Sequence, residues 1–198
     1  MKPTALLLTA FTLANGLSLE RRASGAKLVS ISATGDGCPP GSFSTLIDAE
    51  SISAKASFDI FAIAAGNSVP VTNQSLACDV SITISFPDTC KQAVLKTRTD
   101  AYVLLAQDAG ATAKVATDFS VNGGSGSGSP PELVYTSLPD KNNEVDIGRT
   151  FDVTVSATGA SATFAAHLGI FLDAPDATLG SQVVLDGFGL LILQDGLC

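Results

Sequence analysis

Carboxylates are the most plentiful reactive groups in this chain, with fifteen aspartates and four glutamates against a single histidine, His167. Two facing carboxylates are what a glycosidase needs, one to protonate the leaving oxygen and one to act as base or nucleophile. Asp173 and Asp176 lie close together in Leu172-Asp173-Ala174-Pro175-Asp176, and Asp186 and Asp195 follow. The same oxygens, helped by backbone carbonyls, could ligate calcium. No Asp-x-Asp-x-Asp-Gly loop is present, however, and aspartates in turns are ordinarily just solvated. Asp173 and Asp176 therefore stand only as weak metal candidates. No catalytic or cofactor-binding residue is assigned, and calcium is the one ion the loops could take.

His167 sits in Phe164-Ala165-Ala166-His167-Leu168-Gly169, with no serine or cysteine nucleophile motif around it. A catalytic triad is assembled from distant segments, so spacing cannot exclude one. A lone histidine on a β face nevertheless reads first as structural. One histidine cannot supply the paired ligands of a copper oxygenase, and with no Cys-x-x-Cys spacing a zinc site is disfavoured. Tryptophan is absent and the only tyrosines are Tyr102 and Tyr135. Aromatic platforms of the kind glycosidase clefts and sugar-stacking modules use are therefore scarce. Asn73-Gln74-Ser75 is an N-glycosylation sequon in a polar stretch between strands.

The elements that must position these residues read as β. Asp79 to Phe86 alternates polar and apolar residues, the period of a strand with one buried face. Ser51 to Ala64 alternates likewise, with Ile52, Ala54, Ala56, Phe58 and Ile60 sharing a face. So do Phe151 to Ser156 and Leu95 to Leu105, and more weakly Ala111 to Val121 and Thr163 to Leu172. Val183 to Leu193 carries Gly187 and Gly189 within an apolar run and reads as a buried strand with a bulge. Turn signals separate these runs at Gly35-Asp36-Gly37, Pro39-Pro40-Gly41, Pro87-Asp88 and Asp108-Ala109-Gly110. The pattern predicts a single all-β domain, an antiparallel β-sandwich of jelly-roll or immunoglobulin-like type. The Gly/Ser stretch at 122–131 reads as a flexible loop on it.

At the N-terminus, Lys2 precedes the apolar run Ala5 to Leu13, small residues follow at Ala14-Asn15-Gly16, and Arg21-Arg22 forms a dibasic pair. The run is far short of the roughly 20 residues a membrane span requires. It reads as a signal peptide over 1–16, then a pro-stretch over 17–22 that ends at a processing site, leaving a domain over 23–198. Removing residues 1–22 takes away Lys2, Arg21, Arg22 and Glu20, so the formal net charge moves from −8 to about −10. Such a surface repels nucleic acid and anionic membrane. In an oxidising compartment Cys38, Cys78, Cys90 and Cys198 read as two disulfides, with three pairings open. The favoured arrangement closes a short loop with Cys78–Cys90, contributing about 3 kcal/mol, and a long one with Cys38–Cys198, contributing roughly 5 kcal/mol.

One segment has a recognisable shape. Ile31-Ser32-Ala33-Thr34-Gly35-Asp36-Gly37-Cys38-Pro39-Pro40-Gly41-Ser42 resembles the opening signature of the fungal secreted family known as domain of unknown function 4360. Phe58-Asp59-Ile60-Phe61, Ala77-Cys78-Asp79-Val80 with Phe86-Pro87, and the closing Cys198 are looser matches. The chain departs from the family where Asp88-Thr89-Cys90 replaces an expected glycine and where Asp118-Phe119-Ser120-Val121 reduces a Tyr-x-Phe-Ser-Gly segment. The resemblance implies a secreted β-rich fold and no catalytic activity.

The expectation is a secreted, glycosylated, non-enzymatic fungal protein of the extracellular space or cell wall, effector-like in role. Its partner would be a wall polysaccharide or a host surface protein, with no nucleic acid and no membrane. A calcium-assisted carbohydrate-binding module and an aspartate-dependent glycoside hydrolase are the alternatives.

Overall fold

The computed structural model describes residues 25–66, 71–106, 110–127, 130–137, 143–175 and 180–193. The leader, Arg21, Arg22, Asp176, Asp195 and Cys198 lie outside the described residues. The strands are β1 Lys27–Thr34, β2 Phe43–Ile47, β3 Ser53–Phe58, β4 Ala62–Ala65, β5 Val71–Ser85, β6 Gln92–Leu105, β7 Thr112–Asn122, β8 Gly124–Ser127, β9 Leu133–Thr136, β10 Asn143–Ala157, β11 Ser161–Ala174 and β12 Ser181–Leu193. No helix occurs among the described residues.

Every pairing is antiparallel, and the strands form two sheets. The first runs β1-β5-β11-β7-β9; the second runs β2-β3-β12-β6-β10-β8, with β4 also paired to β12. Their inner faces share one core, which explains the alternation in the sequence. From the first sheet come Val80, Ile82, Ile84, Phe164, Leu168, Ile170 and Leu172; from the second, Leu95, Val103, Leu105, Val183, Leu185, Leu190 and Ile192. Each such side chain contributes roughly 1.5–3 kcal/mol of burial. The Phe119 ring of β7 lies 5.2 Å from Phe164 and 6.4 Å from Phe188 of the opposite sheet, so it stitches the two layers together.

Four details depart from the sequence reading or refine it. The segment 51–64 is two strands that pair with successive stretches of β12 in the same direction, separated by a tight turn in which the Ala62 N–H donates to the Ile60 carbonyl at 2.8 Å and kinks the chain. That turn shifts the alternation. Ile60 is thrown outward, 58% exposed, and Phe61 is buried instead, edge-on to Phe58. In β12 the expected bulge falls between Leu185 and Gly187. Within the Gly/Ser stretch 122–131, Gly124–Ser127 is a strand paired with Thr154–Ala157 of β10. A side chain at Gly124 would run into the Ser156 carbonyl, so glycine is what permits this approach.

The cysteine pairing is also corrected. Cys38 bonds Cys78, with Cα atoms 5.6 Å apart. Neither Cys78–Cys90 nor Cys38–Cys198 forms, since both Cys38 and Cys78 are used. The reason is the length of β5, which carries the chain about 23 Å from Cys78 to Ser85 before it turns toward Cys90. Cys38 instead arrives beside Cys78 because the turn at Gly35–Cys38 docks on β5, where the Gly37 N–H donates to the Ala77 carbonyl at 2.9 Å. Gly35, at φ 151°, leaves no room for a Cβ against that carbonyl, and a Cβ on Gly37 would overlap the Phe61 ring. Cys90 is not a free thiol.

Candidate functional site

The outer face of the first sheet holds the most organised polar cluster. Antiparallel register sets residues side by side in rows across the strands. Thr34, Asp79, His167 and Asp118 form one row over β1, β5, β11 and β7. On one side of it lies the row Ser32, Ser81, Ala165 and Ser120; on the other lies Ala77, Gly169 and Ala116. Beyond that come Ser75, Phe171, Lys114 and, on β9, Val134.

His167 is bonded at both ring nitrogens. Nδ1 lies 2.6 Å from Asp79 Oδ1, and Nε2 lies 3.0 Å from Ser120 Oγ. An ionised carboxylate only accepts, so Nδ1 carries the proton toward Asp79. In the neutral imidazole Nε2 is then the acceptor, and the Ser120 hydroxyl must donate to it. Asp79 and His167 keep about half of their side-chain surface in water, at 54% and 47%. Ser120 is exposed, and Asp118 flanks the imidazole on the β7 side.

The small residues of the next row floor a shallow trough of about 260 Å³. Its walls are Asp36, Lys114, Glu132 and Phe171. A Cβ on Gly169 would come no nearer than 3.8 Å to Ala116, so glycine is not sterically required there; its bareness is what deepens the trough. Lys114 Nζ stands 5.5 Å over the Phe171 ring and 3.7 Å from Glu132 Oε1. Asp36 is held by the Ala77 N–H, which donates to Oδ1 at 2.6 Å. The disulfide two residues on fixes the turn that carries it.

The sequon lies at the same end of this face. Asn73 is exposed at a register shift of β5 in the left-handed conformation, φ 49°, which asparagine tolerates better than most residues. Its N–H donates to Asp173 Oδ1 at 3.3 Å. Asp173 thus has a local structural partner, and its suggested companion Asp176 lies outside the described residues. No group of three metal-ligating side chains occurs among the described residues.

A second concavity, about 530 Å³, lies on the outer face of the other sheet above Gly189, Leu190 and Leu191. Lys55, Lys96 and Arg98 line it, but Arg98 Nε is paired with Asp100 at 2.7 Å and Lys96 faces Asp152 across β10. One of its three cations is thus ion-paired within the concavity. Further along β6, burial and then the neighbouring Glu144 carboxylate push the Tyr102 phenol up from its ordinary value.

Sequence reading singled out His167 but not its partners. Asp79 and Ser120 lie 88 and 47 residues away, and only strand register brings them together. The one available signal was their parity, since both fall on polar positions of alternating segments.

The family model described as Domain of unknown function (DUF4360) matches residues 24–164. No curated protein matches the chain. Among solved structures, a family two carbohydrate esterase from Cellvibrio japonicus is similar at a TM-score of 0.26 and 11% identity, over 83% of this chain and 34% of that one. An arabinose-bound MgGH51 α-L-arabinofuranosidase is similar at 0.23 and 11% identity, over 87% and 26%. HutD from Pseudomonas fluorescens SBW25 is similar at 0.18 and 9% identity, over 84% and 100%. The chain thus spans about a third and a quarter of the first two, and at these scores none carries an argument about activity.

Proposed function

We propose, for a chain that belongs to the family described as Domain of unknown function (DUF4360), the role of a secreted fungal protein, associated with the cell wall, that works by binding polysaccharide. The observation that carries this reading is the trough on the first sheet. It is a bare-floored channel on an exposed face, edged by carboxylates, an ammonium group and the Phe171 ring. Sugar polymers are bound by that combination: hydrogen bonds to hydroxyls from charged and polar edges, with an apolar ring face under the pyranose. Ser30, Ser32, Thr34, Ser81, Thr83 and Thr163 extend the same face with hydroxyl groups. The leader-like N-terminus, the sequon at Asn73 and the acidic balance support secretion, glycosylation and a non-nucleic-acid partner. Binding of this kind needs neither turnover nor calcium.

The test is retention of the purified mature protein on insoluble chitin, β-glucan and cellulose, with and without calcium. Retention on one polymer is expected, and Gly169→Gln, which fills the trough floor, is expected to abolish it while the fold stays intact. No retention on any polymer refutes the reading and points to a protein partner such as a host surface protein. Retention only with calcium would favour the calcium-assisted module.

A further inference from the structure

We propose that Ser120 is a nucleophile activated by His167 and oriented through Asp79, and that this face of the first sheet transfers acyl groups from carboxylic esters to water. The inference goes beyond the binding role and stands without it.

The three side chains form an unbroken chain of hydrogen bonds, Asp79 Oδ1 to His167 Nδ1 at 2.6 Å and His167 Nε2 to Ser120 Oγ at 3.0 Å. That is the division of labour that nucleophilic serine chemistry requires, with a base in reach of the hydroxyl and an orienting carboxylate behind the base. The accept-only carboxylate fixes the tautomer, leaving Nε2 free of a proton and able to take one from Ser120. Each residue sits inside a long strand, β5, β11 or β7, whose register is continuous through the site, so the geometry is preset by the backbone rather than by a mobile loop. The residue facing Ser120 across β11 is Ala165, whose small side chain leaves room above Oγ for an incoming carbonyl. The next row of the same face brings the Asn122 amide and the Thr163 hydroxyl, donors of the type that stabilise a developing oxyanion. The trough opens one row beyond His167 on the opposite side, where the alcohol portion of an O-acylated sugar chain fits.

The chemistry balances as follows. Ser120 Oγ attacks the ester carbonyl as its proton passes to His167 Nε2. The carbon–oxygen bond to the alcohol then breaks, and the alkoxide leaves with that proton. Water attacks the acyl-serine, His167 accepts its proton and returns it to Ser120, and the acid departs. The sum is ester plus water giving alcohol plus carboxylic acid.

The test exposes the full mature chain to a fluorophosphonate and locates any adduct by intact-mass and peptide mass spectrometry. In that probe reaction Oγ bonds to phosphorus, fluoride leaves and His167 takes the hydroxyl proton. A single adduct at Ser120 is expected. It should be absent in Ser120→Ala, slowed by about 100-fold or more in His167→Ala, slowed in Asp79→Asn, and unchanged in Ser44→Ala, which removes an exposed hydroxyl from the other sheet. Hydrolysis of p-nitrophenyl acetate should follow the same order. These side chains are exposed, and thermal melts check that the variants fold. No adduct, an adduct only at another residue, or equal labelling in His167→Ala overturns the proposal, and none of these outcomes bears on retention by polymer.

Discussion

Replacing both Cys38 and Cys78 with alanine removes a cross-link between residues 40 apart in sequence. In the chain-entropy account, closing a loop of that size withdraws enough freedom from the unfolded chain to stabilise the fold by about 4 kcal/mol, against about 3 kcal/mol for the twelve-residue loop of a Cys78–Cys90 bond. Stabilities of single domains are about 5–15 kcal/mol, so the loss is a large share of the total. Both cysteines are fully buried, and alanine keeps the sites apolar. Guanidinium unfolding of oxidised wild type and double variant reads the difference directly. With a denaturant slope of about 4 kcal/mol per molar, the midpoint should fall by about 1 M. The variant should also lose polymer retention before it loses the fold, because the cross-link anchors the turn holding Asp36 at the trough wall. An unchanged midpoint, or non-reducing peptide maps joining Cys78 to Cys90, would refute the reasoning.

Gly37→Ala should cost about 1–3 kcal/mol, since the new methyl group overlaps the Phe61 ring and the turn is pinned to Ala77; an unaltered melting temperature would contradict this. Asp48 accepts hydrogen bonds from the Ser53 and Ile52 N–H groups at 3.0 and 2.8 Å, which hold its carboxyl below the ordinary 3.8. A carboxyl lowered by folding adds stability that is present above its unfolded value and is lost as pH falls through the folded one. The stability gap between wild type and Asp48→Asn should therefore narrow as pH drops below about 4, as read from urea midpoints, and a gap constant with pH would sink the argument. With Cys38 and Cys78 joined, peptide mapping of the oxidised chain should link Cys90 to Cys198; a free thiol on either residue would show otherwise.

Secondary structure was legible in this sequence because it is written locally. The alternation in Asp79–Phe86 and Leu95–Leu105 records which side of a strand meets the core, and β5 and β6 bury those apolar positions. The family signature was legible for a related reason. Gly35, Gly37 and Cys38 stand where a turn must touch β5 and Phe61 without side chains in the way. Ile60 falls on the outer side because one kink between β3 and β4 shifts the parity, and alternation alone cannot register a turn within an apolar segment.

By itself, then, the chain's residue order determined an all-β domain, its inward faces and its family. Tertiary structure decided the rest. Which cysteine meets Cys38 depends on how far β5 runs before it turns. Whether Gly124–Ser127 is loop or strand depends on β10 offering a free edge. His167 acquires Asp79 and Ser120 only when β5, β11 and β7 lie in one particular register. Register is a relation between segments distant in sequence, fixed by the summed burial of two inner faces, and no local pattern encodes it.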